Sequence, residues 1–256
     1  DHRVSQGFTV YQSQPLYMTG NYLDVSNGIG SGHLGRLQDL DRKFQYVADA
    51  GLVHANAAYT FRSILNVTDP VLLEKLGKYW QARFGAYPVL WTTAQEVDPG
   101  HEFNDYWHRI AKAIYENDAY HQPLTAHMEG GDASNSGWGD KDYHSWFGVQ
   151  PSNLQKDGYQ TFWEYNVTKP YVAYETGYEF NRITTDEARS TPYRAFSNGA
   201  FGFGYGVQGV WAINDSTDSW FPYGAYYRWF DGLNAAGGSQ MTHFKNFYES
   251  LQWWKL

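Results

Sequence analysis

The stretch PVLWTTAQEV (Pro88–Val97) is an apolar run that ends on a glutamine and a glutamate. A strand apolar on consecutive positions is buried on both faces, as strands are in parallel sheets covered by helices. A carboxylate has no place in such a wall. It belongs where the strand leaves the sheet, and in barrels of parallel strands that end is where active sites are built. Glu96 is therefore expected at the mouth of the fold.

The surrounding chain carries the same rhythm. Upstream, Asp69 can cap a helix with Pro70 in its first turn; Leu72, Leu73, Leu76, Tyr79 and Trp80 form one stripe, and Gly85 ends it. Before that, GFTVYQ (7–12) reads as a strand, followed by a Gly/Asn-rich loop. Leu37, Leu40, Phe44 and Val47 recur at helical spacing, Gly51 marks a stop, and LVHANAAY (52–59) is the next strand. Downstream come a helix at 103–117, the strand PLTAHME (123–129), a Gly/Ser/Asp-rich loop and the strand SWFGVQ (145–150). A helix at 153–166, the strand PYVAYETG (170–177), a helix at 185–201, the strand GVQGVWAIN (206–214) and a helix from Gln240 complete the series.

Strand followed by helix, repeated, means parallel strands with helical crossovers. The series is one unit short of eight, and the opening DHRVSQG reads as the end of a helix. The expected fold is a (β/α)8 TIM barrel forming a single domain over residues 1–256. Its first strand would precede Asp1 and be supplied by another segment, so the chain is expected to be part of a longer one. A doubly wound open sheet is the alternative.

Composition narrows the function. The net charge of −8 argues against nucleic acid, whose phosphates need a basic surface. No apolar stretch approaches the ~20 residues that span a bilayer. Thiol catalysis is excluded because the chain has no Cys. Aromatic residues make up 19% of the chain, with 11 Trp, 22 Tyr and 15 Phe. They suit either a large aromatic core or a cleft of flat rings, and flat rings suit the C–H faces of sugars. Trp91, Trp138, Trp146, Trp211, Trp220 and Tyr178 include the candidate platforms, whereas Trp80 belongs to the core by its helical stripe.

Several strands end in polar groups: Gln12, Gln95 with Glu96, His127 with Glu129, Gln150 and Glu175. Glu96 and Glu175 would follow strands four and seven of the barrel. Two carboxylates flanking one glycosidic bond can divide the work. One donates a proton to the leaving oxygen, and the other attacks the anomeric carbon or activates a water. Gln95 could bind a sugar hydroxyl. Rival motifs are weak. Gly30–Gly35 and Gly204–Gly209 both match G-x-G-x-x-G, yet neither directly follows a strand and opens a helix, as a dinucleotide site requires. His127 and Glu129 offer two metal ligands with no third at a fixed spacing. No cofactor and no metal are implied.

The segments GFTVYQ, LDRKFQYVADAGL, YWQARFGAYPVLWTTAQEVD, KPYVAYETGYE and GAFGFGYGVQGVW, in this order, resemble the DUF4038 group of bacterial glycoside hydrolases. That group includes the apiosidase-like enzymes acting on plant pectin. The resemblance implies a (β/α)8 barrel and an enzyme of polysaccharide degradation. It implies Glu96 as acid/base and Glu175 as nucleophile or base. It also implies substrate-binding roles for His127 after strand five, Gln150 after strand six and Trp211 on strand eight; Gln95, Trp91 and Tyr178 are substrate-binding candidates from the residues alone. An extracellular or periplasmic location is expected on the same ground. The chain departs from the family at Gln150, which Pro151-Ser-Asn follows where the family often has Ser-Gly-His. A non-catalytic carbohydrate-binding or structural subunit that keeps the barrel is the alternative to the enzyme.

Overall fold

A computed structural model of the chain describes residues 1–16, 23–59, 64, 66–94, 97, 104–128, 137–150, 169–211, 213–215 and 228–255. They form two units, Thr9–Gly148, and Val149–Leu256 together with Asp1–Phe8. The one-turn helix α1 (His2–Ser5) belongs to the second of these.

The Thr9–Gly148 unit is a run of parallel strands, β1 (Val10–Ser13), β2 (Val53–Asn56), β3 (Val89–Thr92) and β4 (Leu124–Thr125), paired in that order. The register sets Tyr11 against His54, Asn56 against Trp91, and Trp91 against Leu124. Parallel neighbours cannot be joined by a tight turn, so each connection carries a helix. These are α2 (Leu34–Asp49), α3 (Pro70–Phe84) and α4 (Asn104–Asn117). The capping expected for α3 is present: Asp69 Oδ1 accepts from the Val71 N–H at 2.9 Å, Pro70 opens the helix and Gly85 closes it. Its buried stripe is Leu73, Leu76, Gly77, Trp80 and Phe84. Phe44 of α2 stacks on Phe84 at 3.9 Å, and Trp80 donates its indole N–H to Asn56 Oδ1 at 3.0 Å. Short strands β5 (His127–Met128) and β6 (Phe147–Val149) follow.

In the other unit β7 (Tyr171–Ala173) is followed by β8 (Tyr178–Glu179), β9 (Arg182–Ile183), α5 (Thr185–Ser197), β10 (Gly202–Phe203) and β11 (Gly206–Val207). β10 pairs in parallel with β7, and β11 with β8. A reciprocal capping box between Thr184 and Glu187 starts α5. α6 (Trp229–Gly232) and α7 (Ala236–Ser250) complete it. Phe196 of α5 packs on Phe244 and Tyr248 of α7 with ring centroids 4.7 and 4.8 Å apart. α1 is tied to this helix, since Thr242 Oγ1 donates to the Gln6 carbonyl at 2.9 Å.

Three expectations need correction. The helix read over 185–201 ends at Ser197, because Gly202–Phe203 is needed as the strand beside β7. The strand read over 206–214 is only Gly206–Val207. Gly209 then takes φ +84° and the chain turns through Trp211, so Trp211 sits on a turn and not on a strand. The last helix begins at Ala236, ahead of Gln240. The helix expected at 153–166 lies outside the described residues.

The closest helix contact predicts a clear penalty. A Cβ on Gly77 would lie 2.7 Å from the Ile110 carbonyl oxygen on α4. Gly77→Ala should therefore lose about 1–3 kcal/mol in denaturant unfolding, against the helix propensity that otherwise favours alanine.

Candidate active site

The site residues are held at strand ends in both units, each taken by itself. In the Thr9–Gly148 unit, Gln95 and Glu96 lie outside the described residues, but their flanks do not. The His127 N–H donates to the Ala94 carbonyl at 2.9 Å, and the Val97 N–H donates to the His127 carbonyl at 3.0 Å. Ala94 and Val97 are thus both tied to the strand end that carries His127.

His127 itself is completely buried. Burial pushes its imidazole pKa down to about 3, because the charged ring would have to give up its hydration. The ring is neutral at physiological pH. It was expected to contact substrate, and the structure instead places it beneath the surface as part of the strand end. His54 on β2 is similar: burial lowers it to about 4, and its Nε2 lies 2.8 Å from Ser13 Oγ.

Three of the expected sugar platforms are core. Trp91 is 1% exposed and donates its indole N–H to Asp118 Oδ2 at 2.9 Å. Asp118 also accepts from the backbone N–H of Tyr120 and of Gln122, so the pair closes the turn before β4. Trp91 therefore offers no face to a ligand. Trp138 stacks on His108 at 4.1 Å with its N–H on Asn104, and Trp146 is likewise buried. Trp220 and Glu129 lie outside the described residues.

In the other unit the structure brings Glu175, Tyr178 and Trp211 together and sets Gln150 on the neighbouring strand end. The N–H groups of Tyr174 and Glu175 both reach the Val149 carbonyl, at 2.8 and 3.3 Å. Pairing stops there and the Glu175 side chain leaves the sheet, partly exposed. Gly177 takes φ +119°, a conformation open to glycine, and turns the chain so that Tyr178 folds back. The Tyr178 hydroxyl then donates to Glu175 Oε1 at 2.8 Å. Its ring meets Trp211 with centroids 5.3 Å apart, and the Trp211 N–H donates to Gln208 Oε1 at 3.2 Å. Gln150 Oε1 is buried without a hydrogen-bond partner among the described residues.

Glu179 is the contrasting carboxylate. It is fully buried and accepts from Thr185 Oγ1 at 2.5 Å, from the Gly237 N–H at 3.2 Å and from the Tyr205 hydroxyl. Both of its oxygens accept from the scaffold, which fits a structural group. Gln208 and Gly206 are the site residues that sequence reading missed. They sit in the Gly204–Gly209 stretch, whose glycines resemble a nucleotide motif by coincidence. The usable signal was a glycine within a strand, where a backbone must approach a ring closely.

The family model of the apiosidase-like catalytic domain matches residues 1–255. The chain belongs to the apiosidase-like catalytic domain family. Among solved structures, a glycoside hydrolase is similar at TM-score 0.81 and 19% identity, over 96% of this chain and 64% of that one. A family 5 glycoside hydrolase from Bacteroides vulgatus is similar at TM-score 0.80 and 17% identity, over 96% and 62%. A structure of fungal β-1,4-galactanases is similar at TM-score 0.62 and 12% identity, over 93% and 88%. At such identities the likeness shows the fold, the parallel α/β fold of (β/α)8 glycoside hydrolases. The chain spans less than two thirds of the first two proteins it resembles. No curated protein matches it. Among the described residues no helix is long and apolar enough to cross a membrane.

The buried imidazoles predict acid sensitivity. Unfolded His127 takes up a proton below about pH 6.5, whereas the folded residue resists until about 3. Its folded pKa is depressed, so its share of stability is present above pH 6.5 and is lost as the pH falls toward 3. A His127→Gln variant should show a shallower fall in unfolding free energy between pH 6 and 4, by up to about 1.4 kcal/mol per pH unit. Parallel slopes in urea titrations would show that His127 does not titrate this way.

Proposed function

We propose that this family member is the catalytic domain of a retaining glycoside hydrolase acting on an oligosaccharide or polysaccharide. Glu175 is its nucleophile and Glu96 its acid/base. The observation that carries the reading is the state of Glu175. It ends an otherwise apolar strand, is partly exposed, and has one oxygen held by Tyr178 while the buried carboxylate four residues on is wholly engaged by the scaffold. Membership of the apiosidase-like family supports the substrate class.

In the first step Glu96, protonated, gives its proton to the glycosidic oxygen as that C–O bond breaks. A Glu175 oxygen attacks the anomeric carbon and forms a glycosyl ester. In the second step Glu96, now a carboxylate, takes a proton from water as the water oxygen displaces Glu175. The free sugar leaves and both groups return to their first state. Retention calls for carboxyl groups about 5–5.5 Å apart, since inversion needs room for a water and a gap of roughly 6.5–9.5 Å. Gln150, with its buried free acceptor, takes a sugar hydroxyl, and Gln95 is assigned a second one. Trp211 supplies an apolar ring surface beside Glu175.

The test is a panel of aryl glycosides with leaving groups of graded acidity. Glu175→Gln, nearly isosteric, should lower kcat by on the order of a thousandfold or more on every substrate. Glu96→Gln should lose about 10²–10⁴-fold on poor leaving groups and much less on those that depart without a proton. Wild-type rates in both variants on a substrate the native protein cleaves would remove the two residues from catalysis. A native protein that binds oligosaccharides but cleaves none would make it a binding subunit.

A further inference from the structure

We propose that Tyr178 is a positioning residue for Glu175, pressed onto the carboxylate by a vise made of Gly206, Trp211 and Gln208, and is not an open sugar platform. The catalytic consequence rests on the hydrolase reading above; the geometry does not.

One jaw is Gly206. It pairs directly with Tyr178 in the β8–β11 ladder. A Cβ placed on it would lie 2.5 Å from Tyr178 Cδ1 and 2.7 Å from Cε1. The Cδ1–Cε1 edge of the ring therefore lies against the glycine, closer than any other residue type permits. The other jaw is Trp211, tilted 33° against the same ring. Trp211 is fixed in turn by Gln208, which is fully buried and whose backbone N–H donates to the Glu179 carbonyl at 2.9 Å. An indole N–H can only donate, so it selects the amide oxygen of Gln208 as its partner. With Gly206 and Trp211 both against its ring, the phenol donates its hydroxyl to Glu175 Oε1 at 2.8 Å.

Two effects follow. A hydroxyl donating to a carboxylate favours its charged form, so Tyr178 keeps Glu175 ionised. It also holds Oε1 in one place. Glu179, Tyr205 and Tyr171 hydrogen-bond away from Glu175. Glu179 and Tyr205 bond each other, and the Tyr171 hydroxyl donates to the Asn198 carbonyl at 2.7 Å. Tyr174 is buried, with its backbone N–H on Val149.

The decisive experiment is a carboxyl-carbon NMR titration of protein labelled with 13C-glutamate, with the Glu175 signal assigned by its loss in Glu175→Gln. In Tyr178→Phe, which keeps the ring and its packing, the Glu175 midpoint should rise by about one pH unit. Gly206→Ala leaves the hydroxyl in place but pushes the ring away, and should move the midpoint in the same direction. An unchanged midpoint in Tyr178→Phe overturns the hydrogen bond's role, and a shift there with none in Gly206→Ala overturns the vise. On a cleaved glycoside, both variants should lower kcat with KM within about threefold; a platform would raise KM with kcat intact. The titration needs no substrate, so a wild type that cleaves no glycoside defeats the hydrolase reading and leaves the positioning result standing.

Discussion

The carbonyl of Val149 accepts from two successive N–H groups, those of Tyr174 and Glu175, and this shared acceptor fixes where β7 stops pairing and its carboxylate begins. A parallel ladder offers evenly spaced, slanted bonds. When a strand leaves such a ladder, its next side chain is released at the end where its neighbours also finish. The same thing happens in the Thr9–Gly148 unit, where His127 bonds Ala94 on one side and Val97 on the other. Polar groups that a buried strand could not tolerate are gathered at its exit by pairing geometry alone. The chemistry of Glu175 depends on that exit and on the Gly177 turn that brings Tyr178 back to it.

Much of this was legible in the residues because the physics behind it is local. Consecutive apolar positions in Val89–Trp91 announce a strand covered on both faces. Asp69, Pro70 and Gly85 bound α3 to the residue, since a cap, a preset φ and a helix stop each act within one turn. Glu175 was legible as a carboxylate ending an apolar strand. Its partner Tyr178 was legible only as an aromatic residue nearby, and the hydroxyl-to-carboxylate contact needed the backbone turn.

The misreadings share a cause. An aromatic ring in a wall and one at a mouth look alike in sequence. Trp91 is held in the wall by Asp118, 27 residues away, which takes its N–H, whereas Trp211 gives its N–H to Gln208 on the same turn. His127 reads as a strand-end ligand, but whether its ring faces solvent or interior depends on residues distant in the chain. The stretch 206–214 has the composition of a strand. Its second glycine, Gly209, turns the chain out of the ladder, so Val210 and Trp211 fall on a turn. Gly206 has the opposite role, since it stays in the ladder and is glycine because a ring lies on it.

The central claim is that Glu175 attacks the anomeric carbon, and trapping the ester it would form tests this most directly. The protein would be incubated with a set of 2-deoxy-2-fluoroglycosyl fluorides, whose glycosyl esters turn over slowly, then digested and mapped by mass spectrometry. The account predicts one glycosyl adduct per chain, carried by the tryptic peptide Asp157–Arg182 and lying on Glu175 by fragment ions. An adduct on Glu96 or any other side chain would contradict it, as would release of a product of inverted anomeric configuration with no adduct formed.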